Sequence, residues 1–165
     1  MAVASTAVPD LFEGTCQDNA REFRLALQGA AALKPLLDGV VPTMSPEDRQ
    51  GHPVTCLSSA DRAVLSRPFS TWLFDAQRLG LAYGTDGWLD DDLAFMSDWG
   101  FDLRDARAVT IWHGGQDWLV PPAHGAWLAA HIPGARYQTM DSEGHLSTIL
   151  KAFERILDDL LNPPR

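Results

Sequence analysis

The sequence predicts an α/β protein: the last parallel strands of a sheet, covered by helices, with a helical insertion. Three observations predict it. Residues 104–165 alternate strand, helix, strand, helix, the order that builds a parallel sheet with helices on its faces. Residues 9–103 read instead as short helical pieces broken by proline and glycine. Residues 2–8 are small and β-branched, as in a buried strand, and Pro9 and Asp10 end them. At 165 residues the chain is long enough for one domain, or for a core piece carrying an insertion.

The insertion comes first. Asp18 and Asn19 are candidate caps for a helix carrying Phe23, Leu25, Ala26 and Leu27, ended by Gly29. Ala30 to Leu37 continues as a second helix, with Pro35 expected to interrupt it. Three prolines between Gly39 and Pro53 make that stretch a loop. Ser58 and Ser59 cap a short helix through Leu65, and Pro68 opens another with Phe69, Trp72, Leu73, Ala76 and Leu79 on one face. Asp90, Asp91 and Asp92 are expected at a solvated helix start, where carboxylates suit the backbone dipole. They lack the patterned histidine or further carboxylates of a metal site, and none is expected.

After Asp102 the pattern changes. Arg107 to Trp112 reads as a strand, Pro121-Pro122 opens a helix through His131, and Ala135 to Met140 is a second strand. Ser147 to Leu161 is an amphipathic helix whose apolar face is Ile149, Leu150, Phe153, Ile156, Leu157, Leu160 and Leu161. Sites in open parallel sheets form at the carboxyl ends of strands. Asp117 and His145 both fall there, 28 residues apart, one loop–helix–strand unit. A carboxylate bonded to an imidazole Nδ1–H fixes the tautomer and stabilises the cation formed when Nε2 takes a proton. Asp117 and His145 are therefore the candidate catalytic pair. Trp88, Trp99 and Trp118 are weaker candidates for a substrate pocket, the tryptophans being mostly core or cap packing by default. Glu143 could tune His145 through its charge, though an exposed loop carboxylate is the simpler reading, and His124 and His131 read as structural or exposed.

Ile111-Trp112-His113-Gly114, Asp117, Val120-Pro121, Trp127-Leu128-Ala129, Ile132-Pro133-Gly134-Ala135 and Glu143-Gly144-His145-Leu146-Ser147 resemble the C-terminal part of the α/β-hydrolase superfamily, serine-hydrolase type. The resemblance covers nearly all of residues 104–161. Asp86-Gly87-Trp88 through Trp99-Gly100-Phe101-Asp102-Leu103 is similar, less specifically, to the end of a helical cap in bacterial members. It implies a partial α/β-hydrolase fold: a core strand at 1–8, a cap or lid at 9–103, and a C-terminal βαβα part at 104–165. It also implies Asp117 as triad acid and His145 as triad base, acting on a small-molecule acyl substrate (ester, amide or related) without cofactor.

The family's Gly-x-Ser-x-Gly elbow is absent from the chain, and so is the His-Gly oxyanion loop of its third strand, since His113-Gly114 lies on the strand before the acid. Ser142 precedes Gly144 but follows Met140; Ser58, Ser59 and Ser97 sit in helical contexts, and no strand leads into Cys16. The nucleophile is expected upstream of Met1, the chain being a truncated product or an internal start. The alternatives are a fragment completed by another chain and a non-catalytic interaction protein. A partial sheet should self-associate through an exposed edge at 2–8 or 107–112.

Composition bounds the partners. A net charge of −9 and a pI near 4.8 oppose nucleic acid or an anionic membrane as partner. No apolar run reaches the roughly 20 residues of a membrane helix, and the N-terminus lacks a charged n-region, so a cytoplasmic protein is expected. Two cysteines, Cys16 and Cys56, allow one bridge, but reduced thiols are the expectation for the cytosol.

Overall fold

The computed structural model describes residues 11–41, 56–65 and 68–162. The strand expected at 2–8 and most of the 39–53 loop lie outside them. Among the described residues the chain is mixed α/β. Its helices are α1 (Gln17–Ala26), α2 (Ala30–Val40), α3 (Ser59–Val64), α4 (Phe69–Gly80), α5 (Asp86–Phe95), α6 (Pro122–His131) and α7 (His145–Leu161). Strands β1 (Thr110–Gly114) and β2 (Arg136–Met140) pair in parallel. The described residues form two compact units, one of 11–12, 16–41, 56, 65 and 68–99, the other of 13–15, 57–64 and 100–162.

In the first unit, α1 and α2 turn on Gly29, whose φ of +98° is open to glycine and strained for other residues. Leu33 and Leu37 are fully buried with Ala26, and Leu25, Leu36, Trp88, Leu89 and Met96 pack around them. Helix α2 runs straight through Pro35, against expectation. Proline removes one bond, to the Ala31 carbonyl, while the buried leucines on either side hold the helix in place. Helix α1 begins behind Cys16, so Asp18 sits in its first turn, not at its cap.

Cys16 and Cys56 form a disulfide. This corrects the expectation of reduced thiols: the two half-cystines stand 5.2 Å apart at Cα, within the span a bridge requires. Disulfides persist mainly in oxidising compartments, so the pair lends no support to a cytosolic location. None of the described helices is long and apolar enough to cross a membrane.

Asp92 is a second correction. Helix α5 starts at Asp86, so the three aspartates fall in its middle, and Asp92 is only 3% exposed. Burial, then the hydrogen bond and charge of Glu22, then the charge of Asp91, push the Asp92 carboxyl up to about 8 from 3.8. Between these values the native state holds a proton that the unfolded chain has lost, so stability falls as pH rises from about 4 to about 8. Asp92→Asn removes that dependence. In urea titrations, the wild-type midpoint for the first unit should be lower at about pH 8 than at about pH 5, with the variant's nearly level. A wild-type midpoint that is level or rises would contradict the buried acid. Trp72, expected in core or cap packing, is 63% exposed on α4 and stacks on Phe69.

In the second unit, β1 and β2 align from Thr110 opposite Arg136 to Gly114 opposite Met140. Helix α6 connects them and packs on both, and α7 packs on β1 and α3. The orientation of α7 is the opposite of that expected from its amphipathic pattern. It buries Ser147, Thr148 and Ala152, while Ile149, Leu150, Phe153, Leu157, Leu160 and Leu161 are exposed. Small side chains permit the close approach to β1, and the apolar stripe turns outward.

Candidate active site

Asp117 and His145 meet. Asp117 Oδ2 accepts from His145 Nδ1 at 2.9 Å. The carboxylate is buried, and its other oxygen accepts from the Leu119 and Val120 N–H groups at 3.0 and 2.8 Å. Two backbone donors thus fix one oxygen and leave the other aimed at the imidazole. Because a carboxylate can only accept, His145 carries a proton on Nδ1, which leaves Nε2 as the bare nitrogen of the neutral ring. The His145 side chain is 32% exposed, enough for the ring to be reached from outside.

The loops after the strands are tied to each other. Gln116 N–H donates to the Glu143 carbonyl at 2.8 Å, and Gly115 N–H to Met140 at 3.0 Å. A methyl at Gly114 would run into the carbonyls of Gly144 and Glu143 and the Thr148 hydroxyl. Glycine there lets the acid loop and the histidine loop touch. Gly114→Ala should therefore separate Asp117 from His145 and cost roughly 2–3 kcal/mol through overpacking. Unfolding of the second unit measures the cost; a loss below about 0.5 kcal/mol would show that the loops yield freely.

Two further side chains complete the surroundings. His113 Nε2 bonds the Val120 carbonyl at 2.8 Å and stands 3.7 Å from Asp117 Oδ2. A carbonyl only accepts, so Nε2 is protonated and turns a positive edge toward the acid. Glu143 is buried, contrary to expectation, because Lys151 Nζ reaches it at 2.7 Å and Ser142 donates to it. The Lys151 hydrogen bond holds its carboxyl below the usual range against the effect of burial.

Of the weaker pocket residues, Trp118 alone shares a unit with the pair; it is 42% exposed. Trp88 and Trp99 belong to the first unit. There the Trp88 indole donates to Glu22 at 2.8 Å and the Trp99 indole to the Ala94 carbonyl at 2.7 Å. His124 is buried, and exposed His131 stacks on Trp127.

Asp61 was not singled out by the sequence. Ser58 and Asp61 form a reciprocal capping box: Ser58 Oγ accepts from Asp61 N–H at 3.1 Å, and Asp61 Oδ2 accepts from Ser58 N–H at 3.3 Å. The Ser-x-x-Asp spacing signals that box. It does not signal that the same carboxylate accepts from the His145, Leu146 and Ser147 N–H groups at 3.1, 2.8 and 2.9 Å.

Among the described residues no group of three or more His, Cys, Asp or Glu is arranged to hold a metal. No described serine stands on a strand-to-helix elbow: Ser58 and Ser147 are fully buried in caps, and Ser142 and Ser97 bond locally. No family model matches the chain, and neither does any curated protein or solved structure.

Proposed function

We propose that the chain supplies the acid and base of a serine-type α/β-hydrolase. In this reading Asp117 orients His145, and His145 is general base, then general acid, for the cleavage of an ester, amide or related acyl bond. The observation that carries the reading is the 2.9 Å bond between Asp117 and the His145 Nδ1, made by loops at the ends of adjacent parallel strands. In this reading the nucleophile and oxyanion hole come from outside these 165 residues, since neither Gly-x-Ser-x-Gly nor the family's third-strand oxyanion loop occurs in them. The substrate is a small acyl compound, with Trp118 a candidate lining residue. The exposed apolar stripe of α7 supports association with further sheet or with a second chain.

A fluorophosphonate probe tests the reading. The 165-residue chain should not label. A longer product read from the DNA upstream of Met1, carrying the elbow, should label on its serine and lose labelling in His145→Ala. A labelled serine within the 165 residues would contradict the reading, as would labelling that is indifferent to His145. A second reading, a non-catalytic interaction protein, is favoured by the missing elbow together with the outward apolar stripe. It predicts no upstream elbow in frame.

A further inference from the structure

We infer that Asp61 is a positioning residue for His145: its buried carboxylate fixes the first turn of α7 and so sets the imidazole against Asp117. The inference rests on the acid–base reading of that pair. The first N–H groups of a helix have no partner within it. Most helices cap them with the side chain before the first turn, but α7 is preceded by Gly144, which has none to offer. Asp61 takes over that task from 84 residues away. It accepts from the N–H of His145 itself as well as from those of Leu146 and Ser147.

The arrangement is closely fitted. Asp61 is 0% exposed, and the Ser58 hydroxyl donates to its Oδ2 at 3.0 Å. A methyl at Gly144 would overlap the Asp61 carboxylate and the Ser58 hydroxyl, so glycine at 144 is what admits the carboxylate to the helix end. Ser147 Oγ in turn accepts from the Gly144 N–H at 2.8 Å, and the Thr148 hydroxyl donates to the Gly144 carbonyl at 2.6 Å. The backbone on both sides of the His145 Cα is therefore held. An imidazole whose bond to Asp117 must survive proton transfer needs such a base, because small errors in position weaken both its hydrogen bond and its reach. The negative charge also suits the positive end of α7. Burial alone would push the Asp61 carboxyl up; the Ser147 N–H, the Ser58 hydroxyl and the His145 and Ser58 N–H groups together hold it below the usual range.

The test is NMR of the His145 Nδ1–H in the 165-residue chain. Asp61→Ala removes all the acceptors, and Asp61→Asn keeps the shape while removing the charge. Leu128→Ala, in the core of α6, is a destabilised control elsewhere in the same unit. The proposal expects the Nδ1–H signal to be lost or exchange-broadened in either folded Asp61 variant and retained in Leu128→Ala. Should Asp61→Ala fail to fold, Asp61→Asn decides. A sharp, unshifted signal in a folded Asp61 variant would overturn the proposal, and so would its equal loss in Leu128→Ala. Asp117→Asn keeps the two ideas apart. If it leaves the signal untouched, the acid–base reading fails and the proposal with it. If it removes the signal while the Asp61 variants keep it, only the positioning role of Asp61 fails.

Discussion

Reduction of the Cys16–Cys56 disulfide should destabilise the first unit by about 4 kcal/mol. The bond closes a loop between residues 40 apart, and releasing a loop of that length returns about this much conformational entropy to the unfolded chain. Among its described residues, Leu33 and Leu37 are fully buried at the centre, while Trp72, Leu79 and Tyr83 are exposed and contribute little burial. A loss of that size is a large part of the stability of an ordinary domain. Urea unfolding with and without dithiothreitol, followed by tryptophan fluorescence, gives the comparison, and Cys16→Ser/Cys56→Ser repeats it without reductant. An unchanged midpoint in both would show that the loop is already restrained in the unfolded chain.

How far the sequence disclosed this structure depends on the range of the contacts involved. Thr110–Gly114, Pro122–His131, Arg136–Met140 and His145–Leu161 follow from local pattern, because hydrophobic period and turn residues act over a few positions. The Asp117–His145 pair was legible from topology, since parallel strands put their following loops side by side. Four other features were not. Helix α7 turned its apolar stripe outward because Ser147, Thr148 and Ala152 fit closer against β1, a fact about the neighbour and not about the helix. Asp92 is buried because its helix begins earlier, at Asp86, than the acidic run suggests. Spacing could not tell bridged from free Cys16 and Cys56. Asp61 was legible as a cap of its own helix, but its bonds to residues 145–147 span 84 to 86 positions and leave no local trace.

Under the proposed function, Asp117→Asn should lower kcat about 10⁴-fold in an enzyme where this pair serves a serine nucleophile, with little change in KM. The magnitude is that of the same change in Ser-His-Asp hydrolases. An amide can offer its NH₂ where the carboxylate only accepts, which releases the imidazole into the other tautomer and leaves Nε2 protonated when it should be basic. It also withdraws the charge that steadies the imidazolium as it forms. Asp117 Oδ1 is held by the Leu119 and Val120 N–H groups, so the shape of the loop should survive the change and the loss should fall on chemistry rather than on folding. Steady-state kinetics together with an unfolding curve separates the two. A fall of less than about tenfold in kcat would mean that the carboxylate is not oriented for catalysis.

The central claim can be reached without any substrate. Nitrogen-15 NMR of the imidazole in the 165-residue chain reads the tautomer of His145 directly. The expected signal is a proton on Nδ1, hydrogen-bonded to Asp117 and lost or shifted in Asp117→Asn, with Nε2 unprotonated in the neutral ring. A neutral His145 carrying its proton on Nε2 would contradict the claim, because the ring would then have no base to offer a nucleophile.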